Sequence, residues 1–291
     1  MSLKLEQVSK QYGSKQALQN ITLTFQTGVT GLLGRNGAGK STMLKMLATI
    51  STPTAGNILY NGINIVRQPN EMRRALGYLP QDFGIYPNMN PVEFLEYMAA
   101  MKSLSMKPAK KRIRELLEVL HLSDVRRRAI GGFSGGMKQR VGIAQALLSD
   151  PAVLIVDEPT VGLDPEERIQ FRNLLTALSP DRIIILSTHI VTDIESIASR
   201  IAILSSGCLA AYAEPEQLLQ QAEHKVWECI VPGPQLQELQ RKFKLSNSIQ
   251  RSDGIYVRIV SDIQPVHGAN AVAPTLEDAY LYATSKLEAV R

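Results

Sequence analysis

The chain has 291 residues, 44% of them apolar, a formal net charge of +5 and two cysteines, Cys208 and Cys229. That length suits one large α/β domain plus something smaller, and the apolar share excludes wholesale disorder. Two cysteines exclude a disulfide framework or a zinc site and fit a reducing, cytosolic compartment, while the absence of any apolar window of about 18 residues and of an apolar stretch in MSLKLEQVSK predicts neither a membrane span nor a signal peptide.

Leu3, Leu5 and Val8 alternate with polar residues and read as a first strand, and Ala17 to Phe25 reads as a second. Tyr12 lies in the turn between them, where an aromatic either stacks on a nucleobase or is an ordinary turn tyrosine; spacing leaves both open. Gly28 to Leu33 (GVTGLL) is a short apolar run that predicts a buried strand. It feeds Gly34-Arg35-Asn36-Gly37-Ala38-Gly39-Lys40-Ser41-Thr42, which is G-x-x-x-x-G-K-S. A helix from Ser41 to Thr49 follows, with Met43, Leu44, Met46 and Leu47 at helical spacing. This strand–loop–helix context is the one a phosphate cradle needs. Backbone N–H groups and the positive helix end face an anion, Lys40 reaches the β- and γ-phosphates, and the Ser41 hydroxyl binds Mg²⁺.

Asn57 to Ile65 reads as a hairpin about Asn61-Gly62, and Met72 to Leu76 as a short helix. Gly77 to Gln81 is a strand running into a loop, and Gln81 by position alone is a solvated amide rather than a ligand. Pro91 to Met101 and Pro108 to Leu120 predict two helices, the second with Lys110, Lys111, Arg112 and Arg114 on a solvated side. Arg126-Arg127-Arg128 reads as a solvated turn. The stretch from Pro91 to about Gln145 is thus an all-helical insert in an α/β chain. Ser134-Gly135-Gly136 opens the long helix Lys138 to Leu148, a second anion-binding geometry. Either the chain binds two anions, or each cradle completes the site of a second copy.

Ala152 to Val156 (AVLIV) is a buried parallel strand ending in Asp157-Glu158. Carboxylates there face the ligand crevice of an α/β sheet. Asp157 is placed to hold Mg²⁺ through water, and Glu158 to polarise an attacking water. The bland reading, an acidic helix cap, is disfavoured by the phosphate loop upstream. Gly162 to Pro165 is a turn before the helix Glu166 to Leu178. Arg182 to Leu186 (RIIIL) is another buried strand, ending at Ser187-Thr188-His189, so His189 reads as a polar sensor beside a γ-phosphate site. A hairpin through Ser205-Ser206-Gly207 and a boundary near Pro215 to Glu223 follow. Val226 to Val231 and Gly254 to Val260 read as strands of a small α+β unit. Thr275 caps a last helix with Asp278 in its first turn and Leu276, Ala279, Tyr280, Ala283 and Leu287 as its apolar stripe. The mildly basic charge is read as solvated surface, with no nucleic-acid partner expected.

Over about residues 1 to 215 these motifs resemble, in order, the nucleotide-binding subunit of an ABC transporter. The resemblance implies an α/β fold, a P-loop NTPase cassette over about 1–220. It has a mixed sheet core, an antiparallel β-subdomain and a helical subdomain near 88–145, followed by a small α+β C-terminal domain over 221–291. It also implies roles. Tyr12 is the adenine-stacking aromatic; Gly34, Arg35, Asn36, Gly37, Ala38, Gly39, Lys40, Ser41 and Thr42 form the Walker A loop. Gln81 is the Q-loop ligand of nucleotide and metal, and Ser41, Gln81 and Asp157 hold Mg²⁺. Glu158, His189 and Lys40 are catalytic. Ser134, Gly135 and Gly136 of the signature and Asp164 of the D-loop contact ATP. In this family two cassettes pair head to tail, so each ATP lies between one Walker A loop and the other copy's signature. The signature here is FSGGM rather than the commoner LSGGQ; Met137 removes an amide, while the serine and glycines remain.

The cofactors implied are ATP and Mg²⁺. The partners implied are a second copy in a homodimer, or another paired cassette, across the ATP sites, and a transmembrane permease docking near Phe83–Met98, which places the protein at the cytoplasmic face of the cell membrane. The tail from Ala273 to Tyr282 (APTLEDAYLY) is similar to the ending of ABC-2-type exporter ATPases and favours export of a drug, lipid, polysaccharide or peptide. The alternatives are a soluble ABC ATPase acting on nucleic acid or ribosomes, and the ATPase of an importer. A single cassette without sustained heptads argues against the first; the tail alone argues against the second.

Overall fold

The structure, a computed structural model, describes residues 1–160 and 162–289. In chain order the elements are β1 (Ser2–Tyr12), β2 (Lys15–Gln26), β3 (Gly28–Leu33), α1 (Lys40–Leu47), β4 (Ala55–Tyr60), β5 (Ile63–Asn64), α2 (Pro69–Ala75) and β6 (Leu76–Leu79). Then come α3 (Pro91–Met101), α4 (Met106–Val119), α5 (Gly135–Leu147), β7 (Val153–Asp157), α6 (Pro165–Leu178), β8 (Ile183–Thr188), α7 (Val191–Glu195), β9 (Arg200–Ser205) and β10 (Cys208–Ala213). The chain continues through α8 (Pro215–Gln221), β11 (Val226–Val231), α9 (Gly233–Lys242), β12 (Lys244–Arg251), β13 (Gly254–Val260), β14 (Asn270–Ala271) and α10 (Leu276–Ala289).

The central six-stranded sheet has the order β10-β9-β3-β8-β7-β6. Its strands β9, β3, β8, β7 and β6 run parallel, and β10 returns antiparallel at one edge. The period-two alternation of a strand explains why VLIVD and IIILST are apolar throughout: each face meets a separate core. Leu154, Val156, Ile184 and Leu186 join the cluster that contains the helical insert. Val153, Ile155, Ile183 and Ile185 join the cluster under α1 and the β2-β1-β4-β5 sheet. The insert has no separate core, because Phe94, Leu95, Ile113, Leu117 and Val141 belong to the same cluster as the sheet. Gln81, the phosphate loop, Asp157 and His189 all follow the carboxyl ends of β6, β3, β7 and β8, the edge at which open α/β sheets bind ligands.

Two differences from the sequence reading have simple causes. The helix expected over Met72 to Leu76 runs Pro69–Ala75, and Leu76 already pairs with Val153 in the sheet. Proline at a first helical position moves the start upstream. In the C-terminal unit, β11 and β13 appear where expected, and the structure adds α9 and the edge strand β12. KLSNSIQR is exposed at most positions and carries no apolar alternation to betray it. One face of this sheet packs Val231, Val257 and Ile259 against Leu239 of α9. On its other side, Val260 joins Leu276, Ala279, Tyr282 and Ala283 of α10 in the main cassette cluster. The last helix therefore ties the C-terminal sheet to the cassette. Residues 290 and 291 of the expected 221–291 unit lie outside the described residues.

Candidate functional site

The loop between β3 and α1 turns the chain back within six residues. Gly39 has φ +106°, and a Cβ there would lie 2.6 Å from Leu18 Cδ2 and 2.8 Å from the Ala17 carbonyl. Only glycine allows both the left-handed backbone and that approach to β2. Lys40 opens α1 with its side chain turned inward, 6% exposed. Its Nζ donates to the Gly34 carbonyl at 2.6 Å and lies 3.3 Å from Glu158 Oε1. Glu158 is 7% exposed, and its Oε2 is 2.8 Å from His189 Nδ1. Its backbone has φ +51°, a left-handed conformation for a non-glycine residue, and its N–H donates to the Ser187 carbonyl at 3.0 Å. Lys40, Glu158 and His189 thus stand in one line between the phosphate loop and the end of β8.

Asp157, at the end of β7, is buried. Burial raises its carboxyl above the usual range, against the nearby hydroxyls of Ser187 and Ser41 and the charge of Lys40. Its Oδ1 has no hydrogen-bond partner within the protein. A buried oxygen left orphaned costs free energy unless something outside the chain meets it. Oxygen ligands from one carboxylate and one hydroxyl, completed by water and phosphate, are what Mg²⁺ accepts. Asp157 and Ser41 fit such an ion. Among the described residues no group of three or more His, Cys, Asp or Glu side chains forms a cage that would hold a metal by itself.

These elements surround an open cleft of about 590 Å³ whose walls include Tyr12, Arg35, Asn36, Gly37, Gly39, Lys40, Ser41, Thr42, Gln81, Glu158 and His189. Gly34 and Ala38 complete the loop behind it. Tyr12 is exposed at the rim with the Lys10 ammonium 4.9 Å from its ring centre. Lys15 and Ala17 also line the cleft, and no sequence motif singles them out. The signal for Lys15 is its pairing opposite Tyr12 across the β1–β2 turn.

The chain does not bring Ser134, Gly135, Gly136 or Asp164 to this cleft. The Ser134 hydroxyl caps α5, accepting from the Met137 N–H at 3.2 Å. Asp164 caps α6, accepting from the Glu167 N–H at 2.8 Å. The two helix starts are fastened together. Arg140 pairs with Glu167 at 2.6 Å, and a Cβ on Gly136 would collide with the Glu167 carboxylate. Phe133 is buried in the main cluster, with Met137 packed beside it. Beyond Gln81, Phe83, Ile85 and Met89 are half-buried against the core, while Tyr86 is exposed and meets Tyr97 edge-on at 5.4 Å.

The pattern of the ABC transporter family matches residues 18–161. An ABC transporter ATP-binding protein of Bacillus subtilis is 36% identical over 226 residues, covering 77% of this chain and 75% of that protein. The chain belongs to the ABC transporter ATP-binding family. The bacitracin transport ATP-binding protein of Bacillus licheniformis is 37% identical over 210 residues, covering 71% of this chain and 68% of that protein. Among solved structures, a dimeric post-hydrolysis ATP-binding cassette bound to ADP and phosphate is 27% identical with a TM-score of 0.66, covering 73% of this chain and 98% of that one. The expected cassette fold is therefore the observed one.

Proposed function

We propose that this ABC protein binds Mg·ATP in the cleft, hydrolyses it as one half of a head-to-tail homodimer, and drives a separate membrane-embedded permease in the direction of export. The observation that carries the reading is the convergence of the phosphate loop and the paired Glu158 and His189 on one cleft, with the buried, unpartnered oxygen of Asp157 next to Glu158 in the chain. Walker A N–H groups and Lys40 hold the phosphates, and Tyr12 stacks on the base. Ser41 and Asp157, with Gln81, would hold Mg²⁺, which would supply charge neutralisation to the phosphates. Glu158 orients the attacking water, and His189 and Lys40 stabilise charge that develops on the γ-phosphoryl group. Ser134, Gly135, Gly136 and Asp164 act on the other copy's ATP, which accounts for their position away from their own cleft. The dimeric relative supports that arrangement.

The export reading leans on relatives whose names include bacitracin transport, daunorubicin resistance and linearmycin resistance. No helix among the described residues is long and apolar enough to cross a membrane. In this reading the chain acts at the cytoplasmic face through its permease, docking by the surface near Phe83–Met98. Two measurements test this. Glu158→Gln abolishes turnover of Mg·ATP while retaining nucleotide and accumulating dimer in gel filtration; normal hydrolysis by that variant removes Glu158 from the mechanism. Co-expression with a candidate six-helix permease from its neighbouring genes moves the chain to the membrane fraction; a chain that stays soluble with every such partner refutes the transport reading.

A further inference from the structure

Asp193 lies on α7, one short turn past His189, and is 2% exposed. A buried carboxylate is costly unless other groups satisfy it, so its partners show what it is for. Thr160 Oγ1 donates to Asp193 Oδ2 at 2.5 Å, and Thr188 Oγ1 donates to the same oxygen at 3.4 Å. Both hydroxyls are buried. Thr188 also accepts from the Ile190 N–H at 3.0 Å. On the other side, Arg168 of α6 stands 4.0 Å from Asp193 Oδ1, while its Nε donates to the Leu163 carbonyl at 3.2 Å.

These partners belong to three different stretches of the site. Thr160 follows Glu158 by two residues, Thr188 immediately precedes His189, and Arg168 sits one turn past Asp164. Glu158 holds a left-handed backbone, a conformation that persists only where the surroundings over-determine it. Its side chain must meet His189 from a loop whose Glu158 N–H donates to the Ser187 carbonyl of the neighbouring strand. We propose that Asp193 is a positioning residue for hydrolysis: its carboxylate clamps the Thr160 and Thr188 hydroxyls and thereby fixes the loop of Glu158 against the strand end of His189. It does not line the cleft.

The inference rests on the ATPase reading above, so the parent chain is assayed beside every variant. A parent that fails to turn over Mg·ATP defeats that reading; an active parent beside an equally active Asp193→Ala defeats only this one. Asp193→Ala lowers kcat roughly 10- to 100-fold, because a misplaced catalytic group forfeits the near-attack geometry. The Kd for Mg·ATP, measured by equilibrium dialysis in the Glu158→Gln background, stays within about twofold, because Lys40 and the loop glycines keep their contacts. Asp193→Asn restores most of the rate, since its amide oxygen still accepts from both hydroxyls. An Asp193→Ala chain whose Kd weakens in step with kcat, or an Asn variant as slow as Ala, overturns the proposal. Where Asp193→Ala fails to fold, Thr160 carries the test: Thr160→Val loses rate and Thr160→Ser retains it. Equal rates for those two overturn the proposal.

Discussion

The Lys40–Glu158 contact makes a quantitative claim about this site. The two charges lie 3.3 Å apart and both side chains are almost fully buried. At an effective dielectric of about 20 the gross attraction is about 5 kcal/mol, and desolvation of both groups offsets much of it. Lys40→Met keeps the apolar stem but strands Glu158 without its cation, which costs about 3 kcal/mol, the lower end for a broken buried pair. In a chain longer than 250 residues that is a fall in Tm of roughly 6 °C. Glu158→Gln removes the charge that needs the cation. The Lys40→Met, Glu158→Gln double variant therefore costs about 2 kcal/mol less than the sum of the two singles. Thermal unfolding without nucleotide measures this coupling, and Mg·ATP affinity measured alongside separates it from phosphate binding, which Lys40→Met loses with either residue at 158. Stabilities that add to within about 0.5 kcal/mol mean that the pair is not coupled in solution and that the line from the phosphate loop to His189 is wrong.

Further perturbations read other parts of the site and fold. Gly39→Ala meets both the left-handed backbone and the Ala17 carbonyl at 2.8 Å, so it costs about 1–3 kcal/mol of strain and weakens Mg·ATP binding by calorimetry. Tyr12→Ala weakens ATP binding by about 1–3 kcal/mol of stacking and leaves inorganic triphosphate binding unchanged. Asp278 is fully buried and pairs with Arg258 at 2.8 Å; Asp278→Asn costs about 3 kcal/mol near neutral pH in urea unfolding. Burial raises the Asp278 carboxyl, but hydrogen bonds from Arg258, Ser246 and Thr275 outweigh it and leave the group below the usual range. A depressed carboxyl contributes stability that is present above its unfolded pKa of about 3.9 and is lost as pH falls through the folded value. The parent's advantage over Asp278→Asn therefore shrinks on acidification below about pH 4, and a constant gap down to the folded value refutes the pairing.

What the sequence discloses here is what depends on neighbours in the chain. The phosphate loop is legible because its glycines, lysine and serine act within nine consecutive residues. AVLIV and RIIIL are legible because strands buried on both faces need no polar interruption. Lys15, β12 and Asp193 are hidden for the converse reason. Lys15 reaches the cleft through cross-strand register, β12 is an edge strand exposed at most positions, and Asp193 draws its meaning from Thr160, 33 residues away. Asp278 shows the same divide within one helix. Its place in the first turn beside Thr275 predicts a charge at the favourable N-terminal end of the helix, and the two residues do meet: the Thr275 N–H and hydroxyl both donate to its Oδ2, at 2.8 and 2.7 Å. Its burial follows instead from Arg258 on β13, which also binds Glu228 on β11 and the Ala273 carbonyl. One guanidinium thus joins two strands of the C-terminal sheet to the start of α10, and α10 lays Leu276 and Ala279 on the cassette core. The tail residues that pointed to an exporter cassette are, physically, the ones that fasten this sheet to the machine that holds the nucleotide.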